Sequence, residues 1–237
     1  MKTNDVFKRY ELKYLVTQEQ KAALLQLFNS YMRPDAYGQS SIFNLYYDTE
    51  DFLLIRRSLE KTVYKEKLRL RSYGKAEQNT MVFLEIKKKF DEVVYKRRIS
   101  LQEKNSTEYF TGRFILPQSQ ISKEIEYFKA LYPTLAPRMF IGYDREAFFG
   151  KEDGDFRVTF DENIFWRDSD LSLCSGKYGQ TILSKEMVLM EIKVAGSVPL
   201  WLTHFLTENK IYKTAFSKYG NAYKAMIERK RRLEYAA

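Results

Sequence analysis

One cysteine, Cys174, and one histidine, His204, are all that 237 residues offer of either type. That excludes an internal disulfide and any zinc site built from Cys and His or from paired imidazoles. A metal here must be a hard cation held by carboxylate oxygens. Both residues read as ordinary packed side chains, His204 within the helical segment WLTHFL. Long apolar runs are missing as well, and none approaches the roughly 20 residues of a membrane span. The opening MKTNDVFKRYELKYLV places charge on both sides of its apolar residues and has no signal-peptide core, so a cytoplasmic protein is expected. Only 5 Pro and 10 Gly occur, with no low-complexity stretch. A single domain over residues 1–237 is therefore expected, a length that buries a substantial core.

What the chain has is positive charge. Lys and Arg number 40 against 31 for Asp and Glu, a formal charge of +9. That balance favours a polyanionic partner, whether nucleic acid, an anionic membrane or polyphosphate. Composition alone does not choose among them, but the placement of charge along the strands does.

Eight segments alternate with a period of two, the signature of strands with two chemically distinct faces. They run over Phe7–Leu15, Ser41–Asp48, Val63–Tyr73, Met81–Lys89, Val93–Leu101, Met139–Phe149, Phe156–Glu162 and Met187–Val194. In the third, Lys65, Lys67, Arg69 and Arg71 share a face opposite Leu68 and Leu70; in the fifth, Arg97 interrupts an otherwise apolar face. Helical spacing appears between them. Thr17 and Gln20 form a capping box ahead of a helix to Tyr31, with Leu24, Leu27 and Phe28 on its apolar side. Ile121–Leu131, Trp201–Leu206 after Pro199, and Asn221–Leu233 give three more. The run Arg229–Arg232 suits a helix C-terminus, where cations are favoured.

The polar strand faces are almost wholly charged, where an ordinary sheet mixes Thr and Ser with its ions. They carry thirteen bases: Arg9, Lys13, Lys65, Lys67, Arg69, Arg71, Lys87, Lys89, Lys96, Arg98, Arg145, Arg157 and Lys193. The acids number five: Glu11, Asp48, Glu85, Asp161 and Glu191. The surplus of eight is close to the net charge of the whole chain. The apolar faces are rich enough to be buried under helices, which turns the charged faces into a lumen. An α+β fold follows, an eight-stranded antiparallel β-barrel with helices packed outside, of a size to hold side chains or one small ligand. Crowded cations repel by about 4 kcal/mol per pair at ~4 Å and an effective dielectric of 20, so a multivalent anion belongs inside. Arg grips phosphate through its planar fork and Lys as a point charge. The rival reading is an open basic sheet for nucleic acid. Such platforms interleave aromatics with their bases, whereas the charged faces here offer only Tyr46, Phe83 and Tyr143, so a nucleic-acid partner is not expected.

Nine segments in order carry a family resemblance: RYELKYLV, YYDT, KEKLRLRSYG, FLEIKKK, VVYKRRISL, YDREAF, RVTFDENI, LMEIKV and FSKYGNAY. In these the chain resembles the VTC (vacuolar transporter chaperone) domain, the polyphosphate polymerase branch of the triphosphate tunnel metalloenzymes. The resemblance implies a triphosphate tunnel, ATP as phosphoryl donor, polyphosphate as product, and Mn2+ or Mg2+ as cofactor. It further implies that Lys13, Arg69, Arg71, Lys87, Lys96, Arg145 and Arg157 bind phosphate, with Ser217 and Lys218 adding a contact before the last helix. Glu191 is implied as the metal ligand; Glu85, Glu11 or Asp161, acids on the same charged faces, are expected as helpers. One departure bears on activity: relatives that are triphosphatases or cyclases begin with E-x-E-x-K, and here Arg9 replaces the first Glu. Transfer of the terminal phosphate of ATP to a growing chain is thus the expected reaction. A triphosphatase in the same tunnel and a non-catalytic polyphosphate or nucleotide binder are the rivals, and a separate membrane partner stays open.

Overall fold

The computed structural model describes residues 10–60, 62–91 and 93–236. Phe7 and Arg9, expected to start the first strand, lie outside the described residues. The chain is α+β: among the described residues ten strands form one antiparallel sheet, with six helices. All eight expected strands form, but two short ones join them and no pairing closes the sheet into a barrel among the described residues. The additions are β2 (Met32–Pro34) and β9 (Gln180–Thr181), too short for alternation to reveal. The chain divides into two compact units, each with its own apolar core.

The first unit comprises Met1–Ser40, Tyr143–Ile164 and Leu183–Phe216. β1 (Tyr10–Thr17) pairs with β10 (Met187–Val194), and β10 pairs with β8 (Arg157–Arg167). β2 lies on the end of β7 (Ala136–Gly150). α1 (Gln18–Tyr31) starts at the expected capping box, in which Thr17 Oγ accepts from Gln20 N at 3.1 Å and Gln20 Oε1 accepts from Thr17 N at 3.0 Å. Its Leu24 and Phe28 join the outward, apolar faces of the strands through Val158, Phe160, Val188 and Ile192. Phe28 meets Phe148, Phe160 and the Trp201 of α5 (Leu200–Glu208) within ring-contact range. Lys21 falls on the same helical side as Leu24 and is buried, its charge answered by Glu162 at 3.0 Å and Glu146 at 3.1 Å.

The second unit comprises Ser41–Gly142, Phe165–Ile182 and Ser217–Ala237. β3 (Ser40–Asp48), β4 (Tyr64–Tyr73), β5 (Met81–Phe90) and β6 (Val93–Gln102) pair in that order. Their apolar face, with Leu68, Leu70, Leu84 and Ile86, packs with Ile125 and Phe128 of α4 (Gln120–Leu131) and Tyr109 of α3 (Glu103–Phe110). Arg97 is exposed: among the described residues β6 ends the strand order beside β5 and shows side chains on both faces, as an edge strand does.

Two arginine- and aspartate-centred details shape this unit. Asp48 ends β3 and is wholly buried, accepting from the backbone N–H groups of Thr49 (2.9 Å), Leu54 (2.9 Å) and Ile55 (3.1 Å), so it anchors the start of α2 (Leu53–Leu59). It also accepts from the Tyr219 hydroxyl at 2.8 Å, which fixes the first turn of α6 (Lys218–Ala236). Gly220 permits that seat, since a Cβ there would stand 2.9 Å from Leu59 Cδ2. Arg167 is buried and has four carbonyls around it: Asp170 (2.9 Å), Ser172 (3.1 Å), Gly176 (3.2 Å) and Tyr178 (3.1 Å). Its guanidinium lies 3.5 Å from the Phe140 ring centre and 4.4 Å from that of Tyr178.

Candidate functional site

Antiparallel register puts directly opposed residues on one face, and in the second unit this assembles a basic surface. Lys65 faces Lys89; Lys67 faces Lys87, which faces Lys96; Arg69 faces Glu85, which faces Arg98; Arg71 faces Phe83. Among the described residues eight cations thus share one face of three strands with one carboxylate, Glu85. That carboxylate is 1% exposed and holds its neighbours closely. Arg69 donates through Nε at 2.8 Å and places Nη2 2.7 Å away, Lys96 Nζ lies at 2.7 Å, and Arg71 Nε at 3.9 Å. Burial would raise the Glu85 pKa, yet Arg69, Arg71 and Lys96 outweigh it and hold the group at about 2. Lys96 is lowered by its own desolvation, against the pull of Glu85.

β3 fixes the arginines from the other side. Asn44 Oδ1 accepts from Arg71 Nε at 2.8 Å, while Asn44 Nδ2 donates to the Ile141 carbonyl at 3.1 Å. Each polar end of the amide is thereby used, and the fork of Arg71 is aimed by a residue that is itself anchored. The Tyr46 hydroxyl accepts from Arg69 Nη1 at 3.1 Å. Ser217 caps α6, its Oγ accepting from Gly220 N at 3.1 Å, and Lys218 is the first residue of that helix.

The first unit builds a different cluster. On its inner face Lys13 lies opposite Glu191, and Glu11 opposite Lys193, which in turn faces Arg157. Arg145 of β7 grips Asp161 with two bonds of 2.6 Å, from Nε and Nη2, and reaches Glu191 Oε2 at 3.2 Å. Lys13 Nζ donates to the Phe216 carbonyl at 3.0 Å and lies 3.3 Å from Glu11 and 3.8 Å from Glu191. Arg157 lies 3.4 Å from Asp35, over the Phe149 ring at 4.8 Å. Burial, followed by the nearby Arg145, depresses the Lys193 ammonium to about 8, although Glu11 and Glu191 oppose the shift. Arg145 moves the other way: desolvation works against its charge, but Asp161, Tyr143 and Glu191 raise it well above the usual value.

Each sequence-predicted residue therefore has a definite place. Lys13, Arg145, Arg157 and Glu191 gather in the first unit; Arg69, Arg71, Lys87, Lys96, Ser217 and Lys218 belong to the second. Two expected helpers at a metal have cationic partners, Glu85 with Arg69 and Lys96, and Asp161 with Arg145. No three acidic, thiol or imidazole side chains converge into a ready cage among the described residues. The donor set does suit a hard cation that draws most of its ligands from phosphate and water, with one carboxylate from the chain. Glu191 fits that part, since Arg145 and Lys13 approach it less closely than Arg145 approaches Asp161. Sequence reasoning passed over Asn44 and Tyr46 as functional groups, although both alternate onto the inner face of β3 with Asp48.

The family model for the VTC domain matches residues 8–227. A search of curated proteins finds no match. Among solved structures, a candidate adenylyl cyclase from Hippeastrum, described as having a dominant triphosphatase activity, is 16% identical with a TM-score of 0.52, over 88% of this chain and 92% of that one. A candidate adenylate cyclase from Vibrio parahaemolyticus is 11% identical with a TM-score of 0.48, over 92% and 99% of the two chains. A Pyrococcus horikoshii protein is 14% identical with a TM-score of 0.45, over 91% and 99%.

Proposed function

Because the chain belongs to the VTC domain family, we propose that it is a polyphosphate polymerase, which transfers the terminal phosphate of ATP to a growing polyphosphate chain. The observation that carries this is the three-strand surface where eight cations share one carboxylate, Glu85. Such a surface is self-repelling until a multivalent anion neutralises it. The family match, spanning residues 8–227, also supports reading the chain as one tunnel domain. No described helix is long and apolar enough to cross a membrane; ATP as donor points to the cytoplasm, and a membrane-borne partner remains part of the proposal.

Phosphoryl transfer asks little covalent chemistry of a protein beyond alignment and charge neutralisation. Arg69, Arg71, Lys87, Lys96, Arg145 and Arg157 bind phosphate oxygens, Arg through its fork and Lys as a point charge. Lys13, Ser217 and Lys218 add contacts. Glu191 holds Mn2+ or Mg2+, which when bound withdraws charge from the transferring phosphoryl oxygens. Asp161 keeps Arg145 in place, and Glu85 keeps Arg69 and Lys96 in place, so neither arginine must reorganise as charge develops. A terminal oxygen of the polyphosphate chain attacks the γ-phosphorus, the bond from that phosphorus to the β,γ-bridging oxygen breaks, and ADP leaves.

Incubation with ATP and manganese, with products resolved on a gel, tests the reading. A ladder of polyphosphate with ADP supports it. Orthophosphate without polymer assigns a triphosphatase instead, and binding without turnover assigns a polyphosphate or nucleotide binder.

A further inference from the structure

Stacked against each other in the second unit are two tyrosines with opposite chemistry. The rings of Tyr46 and Tyr219 are 4.5 Å apart at 20°. Tyr219 spends its proton on Asp48, and burial together with that carboxylate raises its phenol well above the usual value. Tyr46 is only 8% exposed, and its oxygen accepts from Arg69 Nη1 at 3.1 Å. Its own proton has no acceptor among the described residues. A buried phenol in that position is costly unless a partner arrives.

We propose that Tyr46 is a further substrate contact, its hydroxyl donating a hydrogen bond to a phosphate oxygen held by Arg69 and Arg71. This rests on the phosphate-binding reading of the basic surface. The groups around the hydroxyl leave an anion as the missing acceptor: Arg69, Lys67 and Arg71 on β4, and Tyr219 of α6. Glu85 of β5 is already taken up by Arg69 and Lys96. Although burial raises the Tyr46 phenol, the three cations outweigh it and bring the group to about 8, making it a stronger donor than an ordinary tyrosine. Asp48 holds Tyr219, and the Tyr219 ring stacks on that of Tyr46, so the phenol oxygen is placed before any ligand arrives.

Tyr46→Phe keeps the stacked ring and deletes the donor. Calorimetric titration with tripolyphosphate should show affinity reduced about tenfold or more, the scale of a hydrogen bond to a charged acceptor, with the fold retained and the melting temperature lowered only by loss of the Arg69 bond. A second readout separates contact from support. Near pH 8 part of the wild-type Tyr46 is ionised, and a phosphate oxygen that accepts a hydrogen bond from it favours the neutral phenol, which takes its proton from solvent. Saturation with tripolyphosphate should therefore diminish the tyrosinate ultraviolet difference signal in wild type, with no such change in Tyr46→Phe. Equal affinity of the two proteins, or a tyrosinate signal indifferent to saturating tripolyphosphate, overturns the inference and leaves the phosphate-binding reading standing. If wild type itself fails to bind tripolyphosphate, that underlying reading fails, and the inference with it.

Discussion

The two units handle charge in opposite ways. In the first, Lys13, Arg145, Arg157 and Lys193 stand among Glu11, Asp35, Asp161 and Glu191, so cations and carboxylates balance and most are paired within the cluster. In the second, the face of β4, β5 and β6 sets eight cations against Glu85. A balanced cluster is stable alone and holds its side chains in fixed directions, which suits orientation of a reacting group and of a metal. An unbalanced one is strained until an anion binds, which suits capture. The difference teaches that single carboxylates carry different duties: Glu191 is one acid among several, whereas Glu85 gathers Arg69, Arg71 and Lys96 around itself.

Glu191→Gln should produce the largest change. Turnover with Mn2+ or Mg2+ should fall by about 100-fold or more, because Gln is nearly isosteric but lacks the charge that a hard cation requires. The fold should survive, since Asp161 still holds Arg145. Steady-state rates beside a circular dichroism melt check both halves, and undiminished turnover would remove Glu191 from the metal site.

Glu85→Ala should instead strike stability, by about 3–5 kcal/mol, the cost of breaking a buried ion pair from one side. Denaturant unfolding measures it. A loss no greater than that of Glu11→Ala, an acid in the balanced cluster, would erase the contrast between the units.

Acid should reproduce part of that loss. The folded pKa of Glu85, about 2, lies below its ordinary 4.5. Its contribution is thus fully present above pH 4.5 and is lost as pH falls from there through 2. The shift corresponds to ~3 kcal/mol. Stability measured across that window should decline less steeply in Glu85→Gln than in wild type.

Smallest of the four is ligand stabilisation. Tripolyphosphate at ~100 times its dissociation constant should add roughly 2.7 kcal/mol, and should act at lower concentration than orthophosphate or an oligonucleotide of equal phosphate content. Added salt should weaken the effect by screening. Thermal shift titration gives the ranking, and a tripolyphosphate shift no larger than that of orthophosphate would end the capture role of the basic face.

Much of this was legible because strand alternation is a local property. Lys65, Lys67, Arg69 and Arg71 lie two apart, so their common face needs no knowledge of partners, and the capping box at Thr17 and Gln20 is equally local. What stayed hidden depends on register or on length. That Glu85 lies opposite Arg69, or that the Tyr46 hydroxyl meets Arg69, follows only once β3, β4 and β5 are aligned. That Lys21 is buried follows only once Glu146 and Glu162 are brought to it. α2 spans seven residues and β9 two, below the length at which a period can be read. Closure into an eight-stranded barrel was an inference from face chemistry, and chemistry of faces does not specify which strand ends must pair.

Arg167 has a consequence of another kind. Four carbonyls spread from Asp170 to Tyr178 depend on its one guanidinium, with Phe140 and Tyr178 closing over it. The Asp170 carboxylate accepts from the Tyr178 hydroxyl and supports the charge of Arg167, but the cage itself is built from carbonyls, which acid does not protonate. Four carbonyls drawn onto one side chain couple the segment, since loss of the guanidinium would orphan all four at once. Residues 170–178 are thereby tied through one side chain, and its removal would loosen the whole stretch to a protease at once.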